Sequence, residues 1–330
     1  MSDRRNRTNS VRLFPRAAFA VGLLLSCAAL AQVFPSKPLR IVVPFGAGGV
    51  ADLTARTVAQ KLSESLGQPV VVDNKPGAGG VVAGDAVAKA EPDGTTLLLM
   101  SNGTAVSAGL FKSLPFDPVR DFAPISTLAT FDIAVITSAD SKFRTLTDLL
   151  AFAKANPGKL NLGTINIGST QNLAAELFKT ASGTDLQIVP FNGTPALITA
   201  LRGGQIDAAV EILGPVLGQV TAKSLRVLAV TGDKRSAVLP DVPTAGESGL
   251  KGYSVSSWNA LAAPAKTPKS VIARLNKDVL AAVNAPDVRK KLHELNVEAQ
   301  GSSPEQASEL LASEIKRWSE VIVRAKIPTQ

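Results

Sequence analysis

Short apolar runs rich in valine, isoleucine and leucine alternate with segments of helical periodicity from Leu39 onward. Several runs are apolar at consecutive positions, as strands of a parallel sheet are when helices cover both faces. The alternation predicts an α/β fold with mixed, mostly parallel sheets. The predicted strands are Leu39 to Pro44, Val70 to Asp73, Thr96 to Met100, Ile133 to Thr137, Leu160 to Thr164, Gln187 to Pro190, Asp207 to Ile212 and Leu225 to Thr231.

Apolar side chains recur at helical spacing between those runs, and each such stripe predicts a helix with one buried face. Two further helix starts are indicated by a hydroxyl residue before a proline, Thr267-Pro268 and Ser303-Pro304. The clearest stripes are Leu53, Val58, Leu62 and Leu66; Leu173, Ala174, Leu177 and Phe178; and Ile272, Leu275 and Val279.

The chain of 330 residues is long enough for two domains, yet no change of composition divides it. Two extended segments, Phe122 to Val135 and Tyr253 to Pro264, indicate instead that the chain passes between two lobes more than once. Two crossing strands form a hinge, and a hinge allows two lobes to close on a ligand.

The first residues have the pattern of a secretory signal. Met1 to Ser10 is basic, Ala17 to Leu30 is apolar and uncharged, and Ala29-Leu30-Ala31 has the small-x-small form that a signal peptidase cleaves. The apolar run is short for a bilayer crossing, which needs ~20 such residues. We therefore expect a signal peptide over residues 1–31, cleavage near Ala31, and a periplasmic mature chain.

Cys27 is the only cysteine, so the chain beyond it has no thiol for a disulfide, a metal site or a nucleophile. It follows Leu24-Leu25-Ser26, which leaves lipoprotein processing as the alternative to simple release. Removing residues 1–31 takes away five arginines and Asp3, so the formal charge falls by 4, from +8 to +4. With aromatic residues at 5% and no dense basic run, a nucleic-acid surface is not supported.

Polar or glycine-rich turns follow several predicted strands. The segment Pro44 to Asp52 links the first strand to the first helix, Ser101 to Thr104 follows the third strand, and Gly168 to Asn172 precedes a later helix. In such turns backbone amides at a helix N-terminus can face an anion, and open α/β sheets bind ligands at the carboxyl ends of their strands. The alternative is a plain strand-to-helix turn in which Ser169 only caps its own helix.

Groups for catalysis are scarce. His293 is the only histidine and lies in Lys290-Lys291-Leu292-His293-Glu294, which predicts a surface position on a solvated helix. Without further histidines or cysteines, neither a catalytic triad nor a histidine or cysteine metal site can be assembled. We expect a binding protein with no catalytic residue, no metal and no cofactor.

Taken together, a series of short motifs in fixed order resembles the substrate-binding receptors of tripartite tricarboxylate transporters, known as Bug receptors. The resemblance runs from Phe34 essentially to the C-terminus. The motifs include Phe34-Pro35-Ser36-Lys37-Pro38, Val43-Pro44-Phe45, Gly67-Gln68-Pro69-Val70, Asn74-Lys75-Pro76-Gly77-Ala78-Gly79-Gly80, Pro92-Asp93-Gly94, Leu114-Pro115-Phe116-Asp117, Gly168-Ser169, Val189-Pro190-Phe191, Leu228-Ala229-Val230-Thr231 and Asp241-Val242-Pro243-Thr244.

The resemblance implies a type II periplasmic-binding-protein fold, with residues 32–126 and 256–330 in one lobe and 127–255 in the other. It implies a monomer that binds a small organic acid or amino acid and delivers it to membrane transporter subunits. In the family, the first glycine-rich loop and the Gly-Ser loop receive a carboxylate, partly through ordered water. The predicted ligand-binding residues are Phe45, Gly46, Ala47, Gly48, Gly49, Asp52, Asn102, Thr104, Gly168, Ser169, Thr170, Gln171, Phe191 and Glu211.

The chain departs from the family pattern in places that bear on the ligand. Gly46-Ala47 stands where two prolines are usual, Asn172 replaces a frequent histidine, and Glu211 stands where the family often has aspartate. Asp52 and Glu211 could hold an ammonium group, so an acidic amino acid remains open beside a mono- or dicarboxylate. Two other functions also remain open: a ligand-sensing partner of a membrane signalling protein, and an exported enzyme on the same fold.

Overall fold

The computed structural model describes residues 34–324 and 326–329. The predicted signal peptide, with its cleavage at Ala31 and with Cys27, lies outside these residues. The strands are β1 (Leu39–Val43), β2 (Val70–Asn74), β3 (Thr96–Ser101), β4 (Phe122–Ser138), β5 (Asn161–Ile165), β6 (Gln187–Phe191), β7 (Ala208–Ile212), β8 (Leu225–Val230), β9 (Ser256–Pro264) and β10 (Val297–Ala299).

Helices connect these strands, as the alternating sequence pattern predicts, and a short 3₁₀ turn spans Ala78–Gly80. The helices are α1 (Val50–Leu66), α2 (Val81–Ala88), α3 (Asn102–Leu110), α4 (Leu146–Ala155), α5 (Thr170–Ser182), α6 (Thr194–Arg202), α7 (Leu213–Thr221), α8 (Lys269–Asn284), α9 (Pro286–Glu294) and α10 (Pro304–Arg324).

The strands form one mixed sheet in the order β2-β1-β3-β9-β4-β7-β5-β6, with β8 and β10 also paired to β4. The pairs β1–β2, β1–β3, β5–β6 and β5–β7 are parallel. The pairs that involve β4 or β9 are antiparallel. The α/β fold expected from the sequence is confirmed, and the antiparallel pairs lie where the chain crosses the sheet.

Strand β4 joins two halves of the sheet. Its residues Phe122 to Asp132 pair with β9, whereas Ile133 to Ser138 pair with β7 and β8. We call β1, β2, β3, β9, β10 and the first part of β4 the first half, with the helices packed on them, and β5 to β8 with the end of β4 the second half. The chain returns to the first half just before β9, where the Val255 amide donates to the Thr231 carbonyl at 2.8 Å.

The two predicted proline-marked helix starts differ in the structure. Ser303 and Gln306 cap α10 reciprocally, with the Gln306 amide 3.2 Å from Ser303 Oγ and the Ser303 amide 2.9 Å from Gln306 Oε1. Helix α8 begins one residue later than expected, at Lys269, and Thr267 Oγ1 is buried without a hydrogen-bond partner. The prediction that Thr267 caps this helix is therefore wrong, because Pro268 itself takes the N-cap position in a non-helical conformation.

One apolar core extends through both halves of the sheet. It includes Val42 and Leu98 of the first half, Leu162 and Val210 of the second, and Trp318 of α10, all buried. Helix α10 packs on α3 and β4, so the C-terminal helix covers the region where the halves join. A second apolar cluster is confined to the second half, between its sheet and α6 and α7.

Within residues 34–324, none of the helices combines the length and the apolar character that a membrane crossing requires.

Candidate functional site

The loop between β1 and α1 presents an uncapped helix start. Gly49 is the N-cap residue in an extended conformation, and no side chain accepts a hydrogen bond from the first turn. Gly46, Ala47 and Gly48 are exposed, and Gly48 has a φ of 83°, a conformation that glycine adopts without strain. The free amides of this turn and the helix dipole favour an anion at this position.

Asp52 fixes the shape of this loop. Its buried carboxylate accepts hydrogen bonds from the Gly48 amide at 2.9 Å, from Asn74 Nδ2 at 2.9 Å and from Arg56 Nε at 3.0 Å. Arg56 Nη2 lies 3.0 Å from the second carboxylate oxygen, and Asn74 Nδ2 also donates to the Phe45 carbonyl at 3.0 Å. Both oxygens of Asp52 are thus engaged within the first half.

Burial alone would raise the pKa of the Asp52 carboxyl. The hydrogen bonds from Arg56, Gly48 and Asn74 and the charge of Arg56 outweigh burial, so the pKa lies below its usual value. Asp52 is therefore ionised and paired at neutral pH, and its role here is to hold the loop.

The loop between β5 and α5 forms a second helix start on the second half. Ser169 Oγ accepts from the Asn172 amide at 3.1 Å and donates to the Ile165 carbonyl at 2.9 Å, so its hydroxyl caps its own helix. Gly168 has a φ of 81°, and its amide lies 3.3 Å from Asn172 Oδ1. The hydroxyl of Ser169 is thus satisfied, and its amide donates to the Asn166 carbonyl at 3.0 Å, so a ligand would have to use the amides of Thr170 and Gln171 in the first turn of α5.

Glu211 lies at the end of β7 and is completely buried. Its carboxyl accepts from Gln171 Nε2 at 2.8 Å, from its neighbour the Ile212 amide at 2.7 Å and from Thr194 Oγ1 at 3.0 Å. Burial raises the pKa of Glu211, and these three hydrogen bonds only partly oppose burial. Glu211 therefore ties the starts of α5 and α6 to the sheet through neutral donors.

A third helix start, that of α3, lies beside β9. Ser101 and Thr104 form a capping box, and Asn102 Nδ2 donates to the Ser256 carbonyl at 2.9 Å. Asn102 Oδ1 and, on the paired strand, Asn259 Oδ1 are buried without a hydrogen-bond partner. Buried acceptors without partners are uncommon, so these two amides mark a polar region next to the predicted loops.

The loops of the two halves meet around Gly79. A β-carbon added at Gly103 would lie 3.8 Å from Phe45 Cζ and 3.3 Å from the Gly79 carbonyl oxygen. A β-carbon added at Gly168 would lie 3.1 Å from Leu110 Cδ2 and 3.9 Å from Gly79 Cα. We call this place the loop junction; it brings together the ring of Phe45, the start of α3 and the Gly168 turn.

Thr170 also connects the halves, because its Oγ1 lies 3.5 Å from Ser257 Oγ of β9. Phe191 is placed differently from the other predicted residues. Its ring lies near Gly163 and packs with Leu197 and Ile206 in the core of the second half. Its carbonyl accepts hydrogen bonds from the amides of Asn166 and Gly193, each at 3.0 Å.

Several residues of this region were not predicted from the sequence. Asn74, Thr194, Ser257 and Asn259 are polar residues at strand or helix ends, and only their position in the sheet shows that they contact the loops. Arg56 could have been found, since it lies four residues after Asp52 on a predicted helix and so on the same face.

Grooves of about 450, 400 and 440 Å³ lie away from the loop junction, at the outer end of the second half and on either side of the Gly232 segment. His293 is exposed and lines one of them with Asn296 and Glu298. Among the residues that the structure describes, no cluster of histidine, cysteine or acidic side chains could hold a metal ion.

A mixed sheet that the chain crosses twice, with helix starts from both halves at one junction, defines the class of solute-binding receptors with the type II periplasmic-binding-protein fold. The sequence model of the tripartite tricarboxylate transporter family receptor matches residues 54–327, and the chain belongs to that family. The family predicted from the ordered motifs is thereby confirmed. A relative from Pseudomonas sp. (strain P51), described as a UPF0065 protein in the tcbD-tcbE intergenic region, is 39% identical over 297 residues, or 90% of this chain and 88% of the relative.

Solved structures agree with this assignment. The periplasmic binding protein BugD is 32% identical with a TM-score of 0.83, over 90% of this chain and all of that one. Rpa4515 of R. palustris, solved with adipate, is 33% identical with a TM-score of 0.84, over 89% of this chain and 99% of that one. MatC from Rhodopseudomonas palustris, solved with bound malate, is 31% identical with a TM-score of 0.81, over 88% of this chain and all of that one.

Proposed function

We propose that this protein is a periplasmic receptor that binds a small organic mono- or dicarboxylate between its two lobes. The observation that carries the proposal is that Phe45, from the loop leading into the uncapped start of α1, and the Gly168 turn before α5 come from opposite halves of the sheet to one junction around Gly79. Amides at helix starts bind carboxylates without a basic side chain. Adipate and malate in the two R. palustris structures support this ligand class.

We further propose that the ligand carries no ammonium group. Asp52 is engaged by Arg56, Asn74 and the Gly48 amide, and Glu211 is engaged by Gln171, Thr194 and the Ile212 amide. Both oxygens of each carboxyl already accept hydrogen bonds, so neither acid offers an uncommitted oxygen to an ammonium group. The ligand that fits this arrangement is an acid without an amino group.

The same proposal assigns the protein a partner and a place. As a member of a receptor family of tripartite transporters, it delivers the acid to the membrane subunits of such a transporter, after export by the signal peptide over residues 1–31. The two lobes are residues 32–126 with 256–330, and 127–255, and the receptor acts as a monomer without a cofactor.

Thermal melting with a panel of acids tests the proposal. Matched pairs that differ by the amino group, succinate with aspartate and glutarate with glutamate, are compared beside adipate, malate and simple monocarboxylates. At ligand concentrations ~100 times Kd, binding adds about 2.7 kcal/mol to the free energy of unfolding, which corresponds to a melting shift of several degrees. We expect such a shift with at least one acid and a smaller one with its amino counterpart.

Two results would contradict the proposal. An absence of any shift across the panel would contradict the carboxylate receptor itself. A larger shift with aspartate or glutamate than with succinate or glutarate would contradict only the exclusion of an ammonium group.

A further inference from the structure

The start of α7 touches the turn that follows α9 with no space for a side chain. Gly214 is the second residue of α7. A β-carbon at this position would overlap the carbonyl oxygen of Leu295, would lie 3.3 Å from the Leu295 carbonyl carbon, and would lie 3.7 Å from Val50 Cγ2. The obstacle is a main-chain carbonyl, which cannot rotate away as a flexible side chain can.

This contact joins the two halves of the sheet beside the first turn of α1. Helix α7 follows β7 directly and packs on the second half. Leu295 precedes β10, which pairs with β4 at Ala129 to Phe131 in the first half. Val50 is the first residue of α1, immediately after the loop that ends at Gly49. The position of Gly214 therefore decides how closely α7 can approach the first loop.

Helix propensity gives no reason for a glycine at this position, because alanine is favoured over glycine inside a helix. The following residue, Pro215, does disfavour a β-carbon on a helical residue 214, and this local effect is the same whether or not the halves are close together. Gly218, one turn later in the same helix, is exposed and has no atom within 4 Å of an added β-carbon. Gly168, which also contacts the first half, meets the side-chain methyl group of Leu110 and has a positive φ that itself favours glycine. Of these three glycines, only Gly214 meets a main-chain carbonyl of the other half.

We propose that Gly214 is a positioning residue for closure: its missing β-carbon lets the second half reach the first when the lobes close on a ligand. The inference rests on the proposed function, because it requires that the halves move relative to each other. In the open protein α7 is withdrawn from Leu295 and residue 214 has space for a methyl group. Once Pro215 is replaced, an alanine at 214 opposes only the closed state, so it weakens ligand binding and not folding.

The variant G214A tests this inference against the control G218A on the same helix, both in a P215A background that removes the restriction a proline places on residue 214. Both are melted without ligand and titrated with adipate, succinate and malate. We expect the ligand-free melting temperatures of the two variants to agree within about a degree, since both gain the helix preference of alanine. We expect affinity for the bound acid to fall ~10-fold or more in G214A only, because the closed state is the binding-competent one.

Two outcomes would overturn the inference. Equal affinity in G214A and G218A would show that the contact does not limit closure. A ligand-free melting temperature several degrees lower in G214A would show that the contact is a permanent part of the fold.

A second measurement needs no ligand. In a C27S background, T170C and S257C place two thiols where the hydroxyl groups lie 3.5 Å apart across the halves. The rate of disulfide formation then reports how often the halves meet, since a disulfide requires a Cβ–Cβ separation of about 3.5–4.5 Å. We expect a rate several-fold lower with G214A than with G218A, and equal rates would contradict the inference. If no acid binds to any version, the proposed function fails by itself while the disulfide rates still decide the role of Gly214.

Discussion

At the scale of single residues, the two acids of the candidate site differ in how they are held. Asp52 is paired with an arginine, so its pKa is lowered, whereas Glu211 accepts only from neutral donors and burial raises its pKa. Burial among neutral donors favours the protonated form of a carboxyl, whereas pairing with an arginine favours its ionised form. The same chemical group therefore makes opposite contributions to the pH dependence of stability at the two places.

Glu211→Gln should stabilise the protein at neutral pH. The pKa of Glu211 in the folded state lies above the ordinary value of 4.5, so the contribution of this group is present below pH 4.5 and is lost as pH rises toward the folded-state pKa. A glutamine is always neutral, and its carbonyl oxygen can keep the bonds from Gln171 and Ile212. We expect E211Q to melt higher than wild type at pH 7, with a difference that shrinks toward pH 4.5.

Melting curves from pH 4 to 8, with the exposed Glu320→Gln as the control, measure this difference. A constant difference between E211Q and wild type across that range would contradict a raised pKa at Glu211.

The sequence identified these acids but not their partners. Asp52 could be selected because it follows the first glycine-rich loop, and Glu211 because the resemblance to the receptor family places a frequent aspartate there. Their bonds to Asn74 and Thr194 depend on which strands are neighbours and in which register, and a residue spacing of 22 or 17 carries no such information. The predicted ammonium role stayed open for the same reason: only the partners show that the oxygens are engaged.

At the scale of elements, the first loop is held by two secondary-structure elements. Asp52 of α1 accepts from the Gly48 amide, and Asn74 at the end of β2 donates to the Phe45 carbonyl, so the loop cannot shift without breaking bonds to both. This support replaces the stiffness of the two prolines that usually stand where Gly46 and Ala47 are found. Pre-organised amides lose less entropy on binding an anion.

Asp52→Asn should loosen the loop. The asparagine NH₂ group would face Arg56 or the Gly48 amide, which are also donors, and a buried donor without an acceptor costs about 1–3 kcal/mol. At roughly 2–4 °C per kcal/mol for a chain of this size, the melting temperature should fall by several degrees. The stability that wild type gains from Asp52 is present above the ordinary pKa of 3.8 and is lost as pH falls through the lowered one, and D52N should lack this acid-dependent loss.

The control for this change is Asp287→Asn. Asp287 is a largely exposed carboxylate that pairs with Lys61 at 3.2 Å, and exposed pairs contribute little to stability. If D52N and D287N lowered the melting temperature equally, the loop would not depend on Asp52.

The predicted strands were found nearly in full because each is a short, strongly apolar run. The two crossing segments were also found, but β10 was missed, since Val297–Ala299 is only three residues long and has a glutamate at its centre. The cap at Thr267 was wrong because a hydroxyl before a proline satisfies the pattern whether or not the side chain turns back to the helix. Short-range patterns in the sequence predicted the strands and helices. The contacts between them depend on which elements are neighbours in three dimensions, and these patterns do not carry that information.

At the scale of the whole molecule, the continuous core links the two halves of the sheet. Trp318 of α10 is fully buried in this core, and its Nε1 donates to Glu314 at 2.9 Å. Since apolar side chains of both halves belong to one cluster, loss of packing at Trp318 should be felt by the entire chain.

Trp318→Ala should therefore shift one cooperative unfolding transition as a unit. Truncation of a buried tryptophan costs about 3–5 kcal/mol, and calorimetry should show a single peak at a lower temperature. Val323→Ala, on the same helix, is the control, because Val323 is 77% exposed and its truncation removes little packing. A second peak that W318A leaves unmoved would show that the halves unfold independently.

The antiparallel pairing of β9 with both β3 and β4 also determines the order in which the two halves of the sheet can be completed during folding. Strands β5 to β8 come from one unbroken stretch of chain, Asn161 to Val230, so the second half has its own strands at hand as soon as that stretch is available. The first half contains both the first and the last strands of the chain. Strand β3 has β1 on one side, but its other edge has no partner until Ser256–Pro264 is present, and β10 follows later still. A chain that folds as it emerges from its N-terminus thus carries an unfinished edge at β3, and this edge is open to pairing with other chains until Ser256–Pro264 covers it.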